Sequence, residues 1–157
     1  MNELVGRKNM SLTEIRNLLL QQHADLRVKI EETRRATELW RQDQWSHDEL
    51  QERLQRLADQ LRAHNACEES LLRDVIPTID AWGQARADVM TEVHLDEHRN
   101  LCAGLIGATI LADAESGSAA IFLLLESMLD HMKHEEKIFL AADVLTDELR
   151  IGESFGG

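Results

Sequence analysis

The stretch SHDELQERLQRLADQLRAHNACEESLLRDVIP, Ser46 to Pro77, decides the fold. It opens on a capping box, in which Ser46 is followed three residues later by Glu49. Apolar side chains then recur at Leu50, Leu54, Leu57, Leu61, Leu71 and Val75, the spacing of one helix face. Pro77 ends the run, because it removes a backbone donor and crowds the preceding turn. Two places in the stripe, 64 and 68, hold His64 and Glu68 instead of apolar residues.

The same grammar extends in both directions. Ser11 and Glu14 form an earlier capping box, and the helix after it carries Leu12, Ile15, Leu19, Leu26 and Ile30 as far as about Trp40. Arg41 to Trp45 is polar and breaks the stripe. Asp80 reads as the cap of a third helix ending near Asp113, and Glu115-Ser116-Gly117-Ser118 reads as a turn. A fourth helix follows, with Ile121, Leu124, Met128, Ile138, Ala142 and Leu145 on one face. The expected helices are therefore about 11–40, 46–76, 81–113 and 118–145, with a flexible Gly-rich tail at 147–157. Strand signals are weak throughout. Long helices with short connections imply antiparallel neighbours, hence an all-α, up-down-up-down four-helix bundle.

Composition narrows the function classes. The chain has 157 residues, the size of one ordinary domain, and 43% of them are apolar. Its formal net charge of −12 argues against nucleic acid or an anionic membrane surface as partner. The absence of tyrosine removes phenol chemistry. Two cysteines, Cys67 and Cys102, do not make a disulfide scaffold. The start MNELVGRKNM has no apolar signal core, and the longest apolar run, 119–125, is far short of a membrane span. A soluble, reducing, cytoplasmic setting is the expectation.

The polar residues inside the stripes carry the chemistry. On the fourth helix His131 and Glu135 occupy core places. On the third, His94 and His98 share a face with Met90, Leu101 and Leu105, and on the first His23 lies among Leu19, Leu26 and Ile30. Five imidazoles and two carboxylates thus point at the bundle axis. Burying them unpaired would cost roughly 1–3 kcal/mol per group, more for an ionised acid. A metal centre removes that penalty, and i, i+4 spacing puts two ligands one turn apart on one face. The mean ligand positions on the four helices are 23, 66, 96 and 133, with midpoints at 44.5, 81 and 114.5. All three midpoints fall near expected turns, so the seven residues can meet at one level.

The donor set suits iron, manganese or zinc, rather than calcium or magnesium. Seven ligands exceed one tetrahedral zinc and suit two ions with bridging carboxylates. No Glu-x-x-His is present, which excludes the ferritin-like pattern.

His23, HNACEESLLRDVIP (64–77), HLDEH (94–98) and HMKHEEKIF (131–139) together resemble the hemerythrin-like (HHE cation-binding) domain family. The resemblance covers about residues 11 to 145 and implies a single hemerythrin-like domain over 1–157. It also implies two iron ions, oxo- or hydroxo-bridged. His94, His98 and His131 would hold one iron, His23 and His64 the other, and Glu68 and an acid of the fourth helix would bridge. The two-histidine iron would keep an open position for dioxygen, peroxide or another small diatomic ligand. The bridging acid stands four residues after the last histidine in many relatives and five after it in the oxygen-carrying branch. Both Glu135 and Glu136 are present, and core periodicity favours Glu135, with Glu136 as the alternative.

The function implied is a non-heme di-iron protein that binds dioxygen for storage, delivery or sensing, a binding protein rather than a dedicated enzyme. The alternatives are a di-iron enzyme consuming peroxide or nitric oxide, and an iron-handling protein. Several other residues read as structural. Glu69 and His134 lie off the core stripe, solvated or backing the ligands. His47, at a helix start, reads as surface. Cys67 and Cys102 lie about 10 Å apart along the axis, too far for a disulfide. Gly104 and Gly107 suggest close helix packing, and Trp40, Trp45 and Trp82 suggest caps at the ends of the core.

Overall fold

A computed structural model describes residues 10–75, 84–138 and 140–141 of the chain. Four helices occupy them: α1, Leu12–Arg41; α2, His47–Val75; α3, Gln84–Ala108; and α4, Ala114–Ile138. No strand occurs among the described residues. The expectations at Pro77, Asp80, Trp82, Ala142, Leu145 and the 147–157 tail lie outside the described residues, as does the side chain of Met90.

Both capping boxes form. Glu14 N donates to Ser11 Oγ at 3.1 Å, and Ser11 N donates to Glu14 Oε2 at 2.7 Å. Ser46 N donates to Glu49 Oε2 at 2.8 Å, and Glu49 N donates to Ser46 Oγ at 3.2 Å. The break after α1 turns through Asp43, whose φ of 59° lies in the left-handed region that aspartate tolerates better than most residues.

The connection between α3 and α4 departs from expectation. α3 ends at Ala108 rather than Asp113, and α4 begins at Ala114 rather than Ser118. Glu115-Ser116-Gly117-Ser118 is the first turn of a helix and not a loop. Asp113 makes it so: its Oδ2 accepts from Ser116 N at 2.8 Å and from Ser116 Oγ at 2.6 Å. Serine and glycine break helices in mid-run but sit comfortably in a capped first turn. At 1.5 Å per residue, α3 stops about 18 Å from the His94–His98 level, whereas α4 starts about 28 Å from the level of His131 and Glu135. Residues 109–113 cover the difference by running along the axis. α2 straps them down, through Gln51 Nε2 to Thr109 O at 2.6 Å and His47 Nε2 to Leu111 O. His47, which also lies against the Trp40 ring, is therefore a half-buried strap and not a surface residue.

The apolar stripes pack into two clusters. One gathers Leu26, Ile30, Trp40, Leu50, Leu54, Leu57, Leu61, Leu105, Ile121, Leu125 and Met128. The other gathers Leu12, Ile15 and Leu19 with Cys67, Leu71, Leu72, Val75 and Leu140. The first joins the end of α1 to the starts of α2 and α4 and the end of α3. The second joins the start of α1 to the end of α2 and the segment after α4. Neighbouring helices therefore run antiparallel, and the packed pairs are α1–α2, α2–α3, α3–α4 and α4–α1. A polar layer lies between the two clusters.

Glycine supports this packing unevenly. A Cβ on Gly104 would stand 2.9 Å from Leu124 Cδ1, so α3 and α4 do approach closely there. Gly107 has nothing within 4 Å and does not serve packing. Gly117 lies under the Trp40 ring, where a Cβ would stand 2.8 Å from the ring edge. Trp45 is half buried against the same cluster.

Candidate metal centre

Each inward polar residue sits where its helix face would otherwise carry a leucine. His23 follows Leu19 by one turn, His64 follows Leu61, and His131 follows Met128. The register that buries the leucines therefore buries these groups. His23 and Glu68 are wholly buried, and Glu135, His98, His64 and His94 nearly so.

The seven residues meet at one level. Glu68 Oε1 lies 2.5 Å from His94 Nε2 and 3.4 Å from His98 Nε2. Its Oε2 lies 3.1 Å from His64 Nε2 and 3.5 Å from His23 Nε2. Glu135 Oε1 lies 2.7 Å from His131 Nε2 and 3.8 Å from His23 Nε2, and its Oε2 lies 3.4 Å from His94 Nε2. Two overlapping groups result, His94–His98–His131–Glu135 and His23–His64–Glu68–Glu135, each with donor atoms within 4.8 Å of one another. Glu136 is not among them. Its two oxygens receive Arg27 Nη1 and Nη2 at 2.8 and 2.7 Å, on the outer side of His23.

Nε2 of His23, His64, His98 and His131 makes no hydrogen bond, and neither does any oxygen of Glu68 or Glu135. Such orphaned, buried donor atoms cost free energy unless something binds them. Their chemistry, imidazole nitrogen with carboxylate oxygen, fits a borderline divalent cation.

The outer nitrogens are held. His64 Nδ1 donates to Gln22 Oε1 at 2.7 Å, His98 Nδ1 to Glu69 Oε1 at 2.9 Å, and His131 Nδ1 to Glu97 Oε2 at 2.8 Å. His23 Nδ1 faces Glu136 Oε1 at 3.4 Å. A proton on Nδ1 leaves the Nε2 lone pair pointing inward, the tautomer a metal ligand needs. Glu69 thus backs an inward histidine instead of being solvated, whereas His134 is exposed. Gln22, Arg27 and Glu97 had no role assigned from sequence. The signal was there in part, since Gln22 and Glu97 each immediately precede an inward histidine.

Without cations the layer must share protons. Burial raises the Glu135 carboxyl, and the adjacent Glu68 charge raises it further, to about 8. Burial works the same way on Glu68, but Glu135 and the surrounding imidazoles outweigh it and hold that acid well below the usual range. Burial would lower His98, yet Glu135 and Glu68 carry it up to about 10. Burial lowers His64 and His131, each opposed by a nearby acid. The pattern is that of two acids and several imidazoles competing for a few protons inside a buried layer.

Comparison with protein families matches residues 14–142 to the hemerythrin HHE cation-binding domain. The chain belongs to that family. No curated protein and no solved structure matches the chain. As a member of the HHE family it is a cation-binding bundle, and both candidate groups fall within the matched residues. No described helix is long and apolar enough to cross a membrane. The cysteines are free: Cys67 Sγ accepts from Gln22 Nε2 at 3.4 Å and Cys102 Sγ from Asn65 Nδ2 at 3.5 Å.

Proposed function

We propose that this layer holds two iron ions and that the chain binds dioxygen, or a small ligand of similar size, for storage, delivery or sensing. One observation carries the reading: Glu68 turns one oxygen to His94 and His98 and the other to His23 and His64. That division suits a carboxylate shared between two ions. His94, His98 and His131 would hold one ion, His23 and His64 the other, and Glu135 would join Glu68 between them. Three imidazoles against two leave the second ion with fewer protein donors and room for an external ligand. Iron in this setting supplies reversible electron exchange with the small ligand. The protein's own part is to orient five imidazoles through their outer nitrogens, to place two acids between the ions, and to exclude bulk water with an apolar cluster on either side.

The test combines metal analysis with aeration. Protein purified with iron should contain two ions per chain. The ferrous form should gain visible absorption in air and lose it on degassing. Rapid irreversible oxidation would favour consumption of peroxide or nitric oxide instead, and one ion or none would overturn the paired centre.

A further inference from the structure

Four contacts run around the outside of the polar layer and close a circuit. Gln22 on α1 accepts from His64 on α2, and Glu69 on α2 accepts from His98 on α3. Glu97 on α3 accepts from His131 on α4, and Glu136 on α4 faces His23 on α1. Each helix grips an imidazole of the next. Three of these acceptors are carboxylates. Gln22 is a neutral amide, and its other end donates to Cys67 Sγ. It also lines a cleft of about 330 Å³ on the α1–α2 seam, together with Asp25, Ala63 and His64.

We propose that Gln22 is the positioning residue of the two-histidine half, fixing His64 with Nε2 inward while leaving that half the weaker cation holder. The inference rests on the metal-centre reading above. A hydrogen bond from Nδ1 to a carboxylate pushes electron density into the imidazole and makes Nε2 a stronger donor. An amide fixes the same orientation and tautomer but adds less density. His98 and His131, backed by Glu69 and Glu97, are therefore stronger donors than His64. The amide also suits its place, because a glutamate at 22 would stand in the same cleft as Asp25, three residues along the helix, and like charges at that spacing repel.

The experiment is a Co²⁺ titration of the metal-free full-length chain, followed by cobalt visible absorption and by calorimetry. Wild type should bind in two steps, the tighter belonging to the three-histidine half. Gln22→Leu should weaken the second step by about ten- to a hundredfold and leave the first in place. Gln22→Glu should tighten the second step several-fold, which damaged packing would not do. Gln21→Leu, the exposed neighbour on the same helix, should move neither. If Gln22→Leu fails to fold by circular dichroism, Gln22→Glu decides the question alone. A second step unmoved or weakened by Gln22→Glu overturns the proposal, as does an equal shift of both steps. A wild-type chain that takes up no cobalt defeats the metal centre itself, and this inference with it.

Discussion

Glu135 and Glu136 are adjacent in sequence and have opposite surroundings. Glu135 is buried among imidazoles, while Glu136 pairs with Arg27 at the rim. Glu135→Gln should reduce iron content from two per chain to one or fewer, and Glu136→Gln should keep two with weaker retention. Metal analysis after dialysis separates these outcomes. Titration adds a second expectation. Glu135 at about 8 and His98 at about 10 are both raised in the folded, metal-free chain. Their unfolded values are about 4.3 and 6.5. A raised group contributes stability that is full below the unfolded value and is lost as pH climbs through the folded one. The windows run from 4.3 to about 8 and from 6.5 to about 10. Metal-free protein should therefore melt at progressively lower temperature from neutral pH upward. Loaded protein should not follow it, because cations replace those protons. A flat alkaline profile for the metal-free chain would contradict the assignment. Core periodicity alone named the inward residues at this scale. Glu69 was legible as solvated or backing an inward group and Glu136 as an alternative to Glu135, whereas Gln22 and Glu97 were hidden, because polar side chains on helix flanks are ordinarily solvated. Only the position of the next helix makes Gln22, Glu69, Glu97 and Glu136 into acceptors.

At the scale of elements, capping and apolar spacing set both ends of α1 and the start of α2 to within a residue of expectation. The α3–α4 connection was misread because a serine–glycine run looks like a turn until Asp113 is seen to cap it. Asp113→Ala should cost about 1 kcal/mol, the usual loss for an N-cap of this kind. The glycines give a graded series. Gly107→Ala, into open space on a helix, should stabilise by about 1 kcal/mol. Gly104→Ala meets the movable end of Leu124 and should change little. Gly117→Ala meets the rigid Trp40 ring and should destabilise by about 1–3 kcal/mol. Denaturant melts of the three variants check the order, and equal effects would show that the close approaches are relaxed in solution.

For the whole molecule, the polar layer divides the interior into two apolar clusters, each drawn from several helices. Cations binding only the folded chain would stabilise it by about 2.7 kcal/mol per site at a hundredfold excess over Kd. A chelator should therefore lower the melting temperature by several degrees, and calorimetry with and without it reads the shift. An unchanged transition would mean that the layer binds no cation of consequence. The net charge of −12 acts over the same scale and favours cation entry at low ionic strength.

The notch between Gly117 and Trp40 has a distant consequence. Gly117 and Glu135 are separated by 18 residues, five full turns of 3.6, so they lie on one side of α4 about 27 Å apart. The indole thus acts as a vernier stop for the rod. A methyl group inserted there would press against the ring edge, and a 1 Å shift carried along the rod would move Glu135 off its place between the two histidine sets. Remote wedging of this kind should change how tightly the layer takes up a cation without altering any of the seven inward residues.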